Sequence, residues 1–318
     1  MNRATTTIII VVLLVLVIGF IAFTPAEEDD RPPTFGSEVD YQITGIDAGA
    51  GIMQNTEQAM EVYELENWDL VASSDQAMTA EVQAALEDER PIVATAWTPH
   101  AVFALGELRK LDDPEMIYND PDETRVFLEE HAPDFADLEV QSDVIASVVH
   151  PELSDNAPLA YELLREFRVD TDDESEWIYE VTIDQRSAEE VAAEWFEANR
   201  DQFEIPEDVE LGQEEVVIGI PPWTGEIVRS QILAGLLEDA GYEVQIEEFD
   251  IGLVYTALAE QDIDITVGGW LPTTHQSYWE EEGDRLEIAG INVSDTWLGL
   301  VVPEFVDQDI QSIADLKD

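Results

Sequence analysis

Residues 264–275 read DITVGGWLPTTH, an apolar run that ends on Trp270 and continues through a proline to a histidine. Residues 91–100, PIVATAWTPH, follow the same plan and end their apolar run on Trp97. A short apolar run bounded by turn residues is typical of a buried strand in a parallel sheet. Both tryptophans are therefore predicted at the carboxyl end of a strand, which is where open α/β sheets bind their ligands.

Strands and helices alternate on both sides of these two stretches. In the first half we predict strands at 41–46, 69–73 and 91–97, with helices at 55–64 and 75–86. In the second half we predict strands at 214–220, 242–249 and 264–270, with helices at 226–240 and 252–260. Amphipathic helices at 158–167 and 188–203 lie between the halves. This order predicts an α/β protein with two lobes, each a mostly parallel sheet flanked by helices, and a cleft between them.

The composition excludes several kinds of partner. The chain has 318 residues, with 73 acidic and 13 basic side chains and a net charge of −60. Nucleic acid and anionic lipid surfaces require a basic footprint, so neither is expected to bind. The acidic residues are spread along the chain, and we interpret them as a solvated surface suited to concentrated salt, which screens their repulsion. There is no cysteine, which excludes disulfides, thiolate metal sites and thiol nucleophiles.

The N-terminus carries a targeting segment. Residues 7–23 are apolar or small, a length at the lower limit of a membrane-spanning helix and slightly beyond a usual signal-peptide core. A cleaved signal and an uncleaved anchor (residues 1–26) both fit, and we favour the anchor. Either one places the rest of the chain outside the cytoplasm, held at the membrane by this segment only, or secreted if it is cleaved. Residues 27–40, rich in charge and proline, are predicted to form a linker.

A third tryptophan completes the first candidate site. Trp223 follows the predicted strand at 214–220, in the turn before a helix. A single tryptophan is more often a core residue than a ligand contact, but Trp97, Trp223 and Trp270 are all placed at the ligand edge of a sheet. Three indole faces can surround a cation, each contact being worth about 2 kcal/mol when desolvated. With a carboxylate contact added, about 8 kcal/mol would give micromolar affinity.

Two further motifs are candidates for holding an anion. Residues 47–52, DAGAGI, form a glycine-rich turn before a helix, where free amides can face an anion. The turn lacks the spacing of a nucleotide-binding loop, so either a small carboxylate or an ordinary turn fits it. His275 lies close enough to Trp270 to donate to a carboxylate, whereas His100 is a weaker candidate that could instead cap a helix. No metal site, cofactor motif or catalytic residue set is present.

These motifs together resemble the glycine betaine-binding proteins of ABC importers, the OpuAC type. The resemblance rests on segments such as ITGIDAGAGIM, SSDQAMTAEV, PIVATAWTPH, GWLPTTHQSYW, LGLVVP and SIADLKD. It implies a two-lobed, type II periplasmic-binding-protein-like fold that closes around its ligand. It also implies the roles of six residues: an aromatic box at Trp97, Trp223 and Trp270, and a carboxylate site formed by the main-chain amides of Gly51 and Ile52 with His275. Two prolines at 221–222 depart from the family pattern and leave the angle of the Trp223 ring open.

The resemblance also implies a function and a division of the chain. The expected partners are glycine betaine and the permease and ATPase subunits of an importer; choline, carnitine, proline betaine and ectoine remain alternatives. An enzyme acting on quaternary amines and a surface scaffold are the alternatives from other classes. We expect a first lobe at 41–143, completed by 298–318, and a second lobe at 144–297. Strands near 144–149 and 298–302 are expected to cross between the lobes.

Overall fold

Two five-stranded sheets form the centre of the molecule. The computed structural model describes residues 34–203, 205, 212 and 215–317. The first sheet has the order β2-β1-β3-β10-β4 and contains β1 (Gln42–Thr44), β2 (Asp69–Val71), β3 (Val93–Thr98), β4 (Leu108–Lys110) and β10 (Trp297–Pro303). The second has the order β7-β6-β8-β5-β9 and contains β5 (Val144–Val149), β6 (Glu215–Ile220), β7 (Glu243–Glu248), β8 (Ile265–Leu271) and β9 (Glu287–Val293). Each sheet with its helices is called a lobe below.

Helices flank both sheets. The first half of the chain contributes α1 (Phe35–Glu38), α2 (Gly51–Val62), α3 (Asp75–Glu87) and α4 (Pro121–His131). The second half contributes α5 (Leu153–Asn156), α6 (Pro158–Glu166), α7 (Thr171–Thr182), α8 (Ala188–Asn199), α9 (Thr224–Asp239), α10 (Ile251–Glu260) and α11 (Gln276–Glu282). Short 3₁₀ helices lie at Ala101–Ala104, Pro133–Phe135, Arg200–Gln202, Gly283–Arg285 and Ile313–Leu316. The two-lobed α/β fold predicted from the alternation of strands and helices is confirmed.

Each sheet is mixed, with four strands that run in one direction and one strand that runs against them. In the first lobe β2, β1 and β3 are parallel, and β10 is antiparallel to both of its neighbours, β3 and β4. In the second lobe β7, β6 and β8 are parallel, and β5 is antiparallel to β8 and β9. The reason is that the chain passes from one lobe to the other just before β5 and just before β10. These two strands therefore enter their sheets from the cleft side, whereas the parallel strands run toward the cleft.

The two crossing segments touch each other. Thr296, just before β10, donates its hydroxyl to the carbonyl oxygen of Asp143, just before β5, at 2.6 Å. Gln141 donates its side-chain amide to the carboxylate of Asp295 at 3.1 Å beside it. The crossing strands thus start from one shared hydrogen-bonded point. The lobe boundaries at 143/144 and 297/298 stay a prediction.

Two sequence-based predictions change near the N-terminus and the cleft. The helix predicted from residue 55 begins at Gly51, so the glycine-rich turn is itself the start of α2. The last part of the predicted linker at 27–40 is helical, because Phe35 packs against Trp68 with ring centroids 6.4 Å apart. The predicted anchor at residues 1–26 lies outside the described residues. Within the part of the chain that the structure describes, no helix has the length and apolar character needed to cross a membrane.

Candidate ligand-binding site

The three predicted tryptophans line one cavity of about 290 Å³ between the lobes. Trp97 comes from β3 of the first lobe, Trp270 from β8 of the second, and Trp223 directly precedes α9. The other lining residues are Ile46, Ala50, Gly51, Ile52, Thr274 and Leu298. Each indole is at most 8% exposed, so all three rings are held in the interior. The lining combines aromatic faces, aliphatic groups and backbone, which suits binding rather than bond breaking.

The Trp97 ring is held by a histidine that does not line the cavity. His100 packs against it with ring centroids 4.4 Å apart at 64°. The Nδ1 atom of His100 accepts the Val102 amide at 3.1 Å, so its Nε2 carries the proton and donates to Asp75 at 2.8 Å. The alternative that His100 caps the following helix, here the 3₁₀ helix at 101–104, is therefore confirmed.

The Trp270 ring is anchored by a buried carboxylate that the sequence did not single out. The indole Nε1 of Trp270 donates to Glu226 Oε1 at 2.9 Å. Glu226 lies 3.6 Å from Arg229, which in turn makes a two-pronged ion pair with Glu174. In a chain with 73 acidic residues, no pattern distinguishes these two carboxylates from the surface ones.

The third indole is held from the opposite lobe. Trp223 Nε1 donates to the carboxylate of Asp47, in the turn before α2, at 3.3 Å. Tyr278 of α11 donates its hydroxyl to the carbonyl oxygen of Gly49 and accepts from Gln54 of α2 at 3.2 Å. These contacts join the start of α2 to the second lobe, so the lobes meet directly beside the cavity.

The start of α2 lies at the cavity. Gly51 and Ile52 both line it, and Ala50 at the N-cap makes no side-chain capping bond. Uncapped N–H groups at a helix start, together with the helix dipole, favour an anion. Gly51 has little room: a Cβ placed on it would lie 1.7 Å from the carbonyl oxygen of Thr274 in the second lobe. Only glycine allows this approach of the two lobes.

His275 directly follows a residue that lines the cavity and is not itself among the lining residues. The lining residue is Thr274, and the His275 ring lies 6.1 Å from the Trp223 ring, between centroids. The backbone N–H of Trp270 donates to His275 Nδ1 at 3.1 Å, which fixes the proton on Nε2. Burial lowers the pKa of His275 to about 3, so the ring is neutral. Its Nε2 is buried and has no hydrogen-bond partner among the described residues.

A second unforeseen carboxylate holds the turn that carries His275. Asp143 is fully buried and accepts the backbone N–H groups of Thr273 and Thr274 at 2.9 and 2.8 Å. Burial raises the pKa of Asp143, and the two amide bonds oppose that shift. Asp143 thereby fixes the turn that faces Gly51. Within the described ranges, no group of three or more histidine or acidic side chains is placed to hold a metal ion.

Comparison with known proteins places the chain in a family. The model of the substrate-binding domain of ABC-type glycine betaine transport systems matches residues 25–198 and 214–318. The chain belongs to this family. Its members are transport binding proteins, and the resemblance seen in the sequence motifs is thus confirmed. A curated relative, the glycine betaine/carnitine transport binding protein GbuC of Listeria monocytogenes serotype 1/2a (strain 10403S), is 34% identical over 292 residues, which are 91% of this chain and 90% of the relative.

Two solved structures are also similar. Lactococcal OpuAC, in its closed conformation with glycine betaine, is 23% identical with a TM-score of 0.38, over 57% of this chain and 62% of that one. The glycine betaine/L-proline-binding protein ProX of Borrelia burgdorferi is 24% identical with a TM-score of 0.42, over 58% of this chain and 63% of that one. Each match spans less than two thirds of the solved chain.

The first prediction concerns the approach of Gly51 to Thr274. Gly51→Ala should hold the lobes apart, because the added methyl overlaps a carbonyl oxygen and overpacking of this kind costs about 1–3 kcal/mol. Small-angle X-ray scattering should report a larger radius of gyration for this variant. Gly49→Ala is the matched control, since the nearest atom to its Cβ is the Tyr278 hydroxyl at 4.0 Å. Equal radii for the two variants and the wild type would contradict this role of Gly51.

The second prediction concerns acid stability. The pKa of His275 is about 3 in the fold and about 6.5 in the unfolded chain, so between these values the unfolded state binds more protons. The part of the free energy of unfolding that comes from keeping this ring neutral is complete above pH 6.5 and is lost as the pH falls toward 3. Glu226 and Asp143, whose pKa values burial raises, act in the opposite direction. His275→Asn isolates the histidine, because its side-chain oxygen can replace Nδ1 as acceptor.

Urea unfolding between pH 7 and 4 measures this effect. The wild type should lose more free energy of unfolding than His275→Asn across that range. His131→Asn, which replaces an exposed histidine of α4, controls for removing an imidazole elsewhere. Parallel pH curves for wild type and His275→Asn would refute the neutral buried ring.

Proposed function

We propose that the protein captures glycine betaine outside the cytoplasm and delivers it to the permease of an ABC importer, whose ATPase subunit drives uptake. One observation carries the proposal: three indoles from two lobes line a single small cavity beside the uncapped start of α2. Membership in a family of transport binding domains supports the same role. The protein performs no bond chemistry in this proposal, and its work is capture, closure and release.

The indoles account for the cationic end of the ligand. A trimethylammonium group spreads its charge over methyl groups and has a weakly held hydration shell, so an apolar aromatic cavity accepts it. Sodium and potassium would lose strong hydration in the same cavity and are rejected. The cavity is lined by only nine residues, three of them tryptophans, which favours a small solute.

The carboxylate end is assigned to the start of α2 and to His275. Gly51 and Ile52 line the cavity, and their amides lie at the positive end of the helix dipole, where an anion is favoured. The unpartnered Nε2–H of His275 is a buried donor that a carboxylate oxygen would satisfy. A neutral donor suits a zwitterion, since the ligand already carries its own cation. The six predicted site residues are thus all retained in the proposal.

This two-ended site separates the candidate solutes. Choline has the cationic head but no carboxylate, so the buried donors would stay unsatisfied at a cost of about 1–3 kcal/mol. Carnitine has both ends and is the second candidate, because it appears in the name of the 34% identical relative. Glycine betaine is the smaller of the two and fits the small cavity better.

Closure of the lobes controls both capture and release. Trp97 lies on one lobe and Trp223 with Trp270 on the other, so the aromatic enclosure is complete only when the lobes meet. The contacts of Asp47 with Trp223 and of Tyr278 with Gly49 form in the same closed arrangement. Separation of the lobes at the permease would remove the ring faces and the helix amides together. A zwitterion has no net charge, so the protein's net charge of −60 neither attracts nor repels it.

The proposed location follows the sequence. The apolar segment at 7–23 would anchor the protein to the outer face of the cell membrane, and only this segment would touch lipid. The acidic composition fits a cell that lives in strong brine, where importing a compatible solute protects against osmotic stress.

The third prediction tests the binding site directly. Isothermal titration in molar salt should show micromolar binding of glycine betaine to the wild type. Trp97→Ala and Trp270→Ala should each weaken it by about 30-fold, the loss of one desolvated cation–π contact of about 2 kcal/mol. Trp195→Ala, which removes an indole on α8 outside the cavity lining, is the matched control.

The outcomes distinguish the candidates. Competition should place glycine betaine ahead of carnitine and both well ahead of choline. Absence of heat with all three solutes would refute the proposed function. Unchanged affinity in Trp97→Ala or Trp270→Ala, with Trp195→Ala also unchanged, would remove the aromatic cavity from it.

A further inference from the structure

The carboxylate behind Trp270 belongs to a buried cluster with one cation. Glu226, Arg229 and Glu174 are each at most 3% exposed. The Nε and Nη2 atoms of Arg229 donate to the two oxygens of Glu174, and its Nη1 donates to the carbonyl oxygen of Val267 at 2.6 Å. Glu226 lies farther from that cation, with its Oε1 3.6 Å from Arg229 Nη1. The same oxygen accepts the indole N–H of Trp270 at 2.9 Å.

The local structure is built to admit this carboxylate. Glu226 is the third residue of α9, the helix that Trp223 precedes, so it links the two tryptophans of the second lobe. Its side chain reaches β8 only because Gly268 has no side chain: a Cβ there would lie 2.8 Å from Glu226 Cγ. The carboxylate therefore lies at the indole N–H of Trp270 and away from solvent.

The charges in the cluster do not balance. Two carboxyl groups face one guanidinium in the interior, so one negative charge is unmatched whenever both are ionised. Such a charge is costly unless a positive charge comes near it. Burial raises the pKa of Glu226, and the attraction of Arg229 only partly offsets that shift. Trp270, whose indole N–H bonds Glu226, lines the aromatic cavity, so a cation in that cavity would contact the ring that Glu226 holds.

We propose that Glu226 is a specificity-determining residue, whose negative charge selects a cationic head group over an uncharged head group of the same shape. The inference rests on the proposed function, the capture of a betaine. The carboxylate attracts the ammonium across the ring in a region of low dielectric constant. It also polarises the indole through the N–H bond, which strengthens the interaction of the ring face with a cation. The face of Trp270 already prefers a cation, and the carboxylate at its N–H adds to that preference.

A pair of ligands separates charge from shape. In 3,3-dimethylbutanoate a quaternary carbon replaces the nitrogen of glycine betaine, so the head group has the same methyl groups without the charge. Glu226→Gln keeps an oxygen acceptor for the Trp270 N–H and removes the charge of the side chain. Glu238→Gln makes the same substitution at an exposed position near the end of the same helix and is the matched control.

Titration calorimetry on the full chain in molar salt gives the readout. Glu226→Gln should bind glycine betaine about tenfold more weakly than the wild type, whereas its affinity for 3,3-dimethylbutanoate should change by less than about twofold. Glu238→Gln should bind both ligands as the wild type does. Thermal unfolding of ligand-free Glu226→Gln should occur at the wild-type temperature or above it, because the unmatched buried charge is gone.

Each other result overturns the inference. Equal losses for both ligands would mean that Glu226 only holds the ring, and unchanged affinities would mean that its charge has no part in binding. If Glu226→Gln does not fold, the two affinities of the wild type still test the inference. Equal affinities for glycine betaine and 3,3-dimethylbutanoate would exclude selection by charge. A wild type that binds neither ligand refutes the proposed function itself, which is a different result from the loss of selectivity alone.

Discussion

The close approach of Gly51 to the carbonyl oxygen of Thr274 is the contact on which the candidate site depends. It brings the start of α2 in one lobe against the turn after β8 in the other, with no room for a side chain between them. Trp97 and Trp270 come from different lobes and line the same cavity as Gly51 and Thr274, so this approach also brings the two indoles together. A small shift between the lobes would remove the indole faces and the helix amides from one another's reach.

One residue connects this contact to the crossing point of the chain. The side chain of Asp143 accepts the amides of Thr273 and Thr274, and its backbone carbonyl accepts the hydroxyl of Thr296 on the other crossing segment. A buried carboxylate satisfied by backbone amides is rigid and costly to disturb. The turn facing the cavity is therefore tied to the point where the chain passes between the two sheets. We infer that the second lobe closes as a body that includes this turn.

The sequence predicted the placement of the aromatic residues but not their supports. Trp97 and Trp270 were recognisable because each ends an apolar run beside a proline, and strand ends at the ligand edge of a sheet follow from topology. Gly51 was recognisable as part of a glycine-rich turn, although its role as the first residue of α2 was not. Glu226 and Asp143 were not foreseen, since their roles come from burial and from partners more than 40 residues away. In so acidic a chain, a functional carboxylate has no local pattern that separates it from the surface.

A crystal structure of the protein with glycine betaine tests the account most directly. We predict the trimethylammonium group in contact with Trp97, Trp223 and Trp270, and the carboxylate within hydrogen-bond distance of the Gly51 and Ile52 amides and of His275 Nε2. A ligand bound outside this cavity, or bound in it with its carboxylate toward the indoles, would contradict the assignment of the two ends of the site.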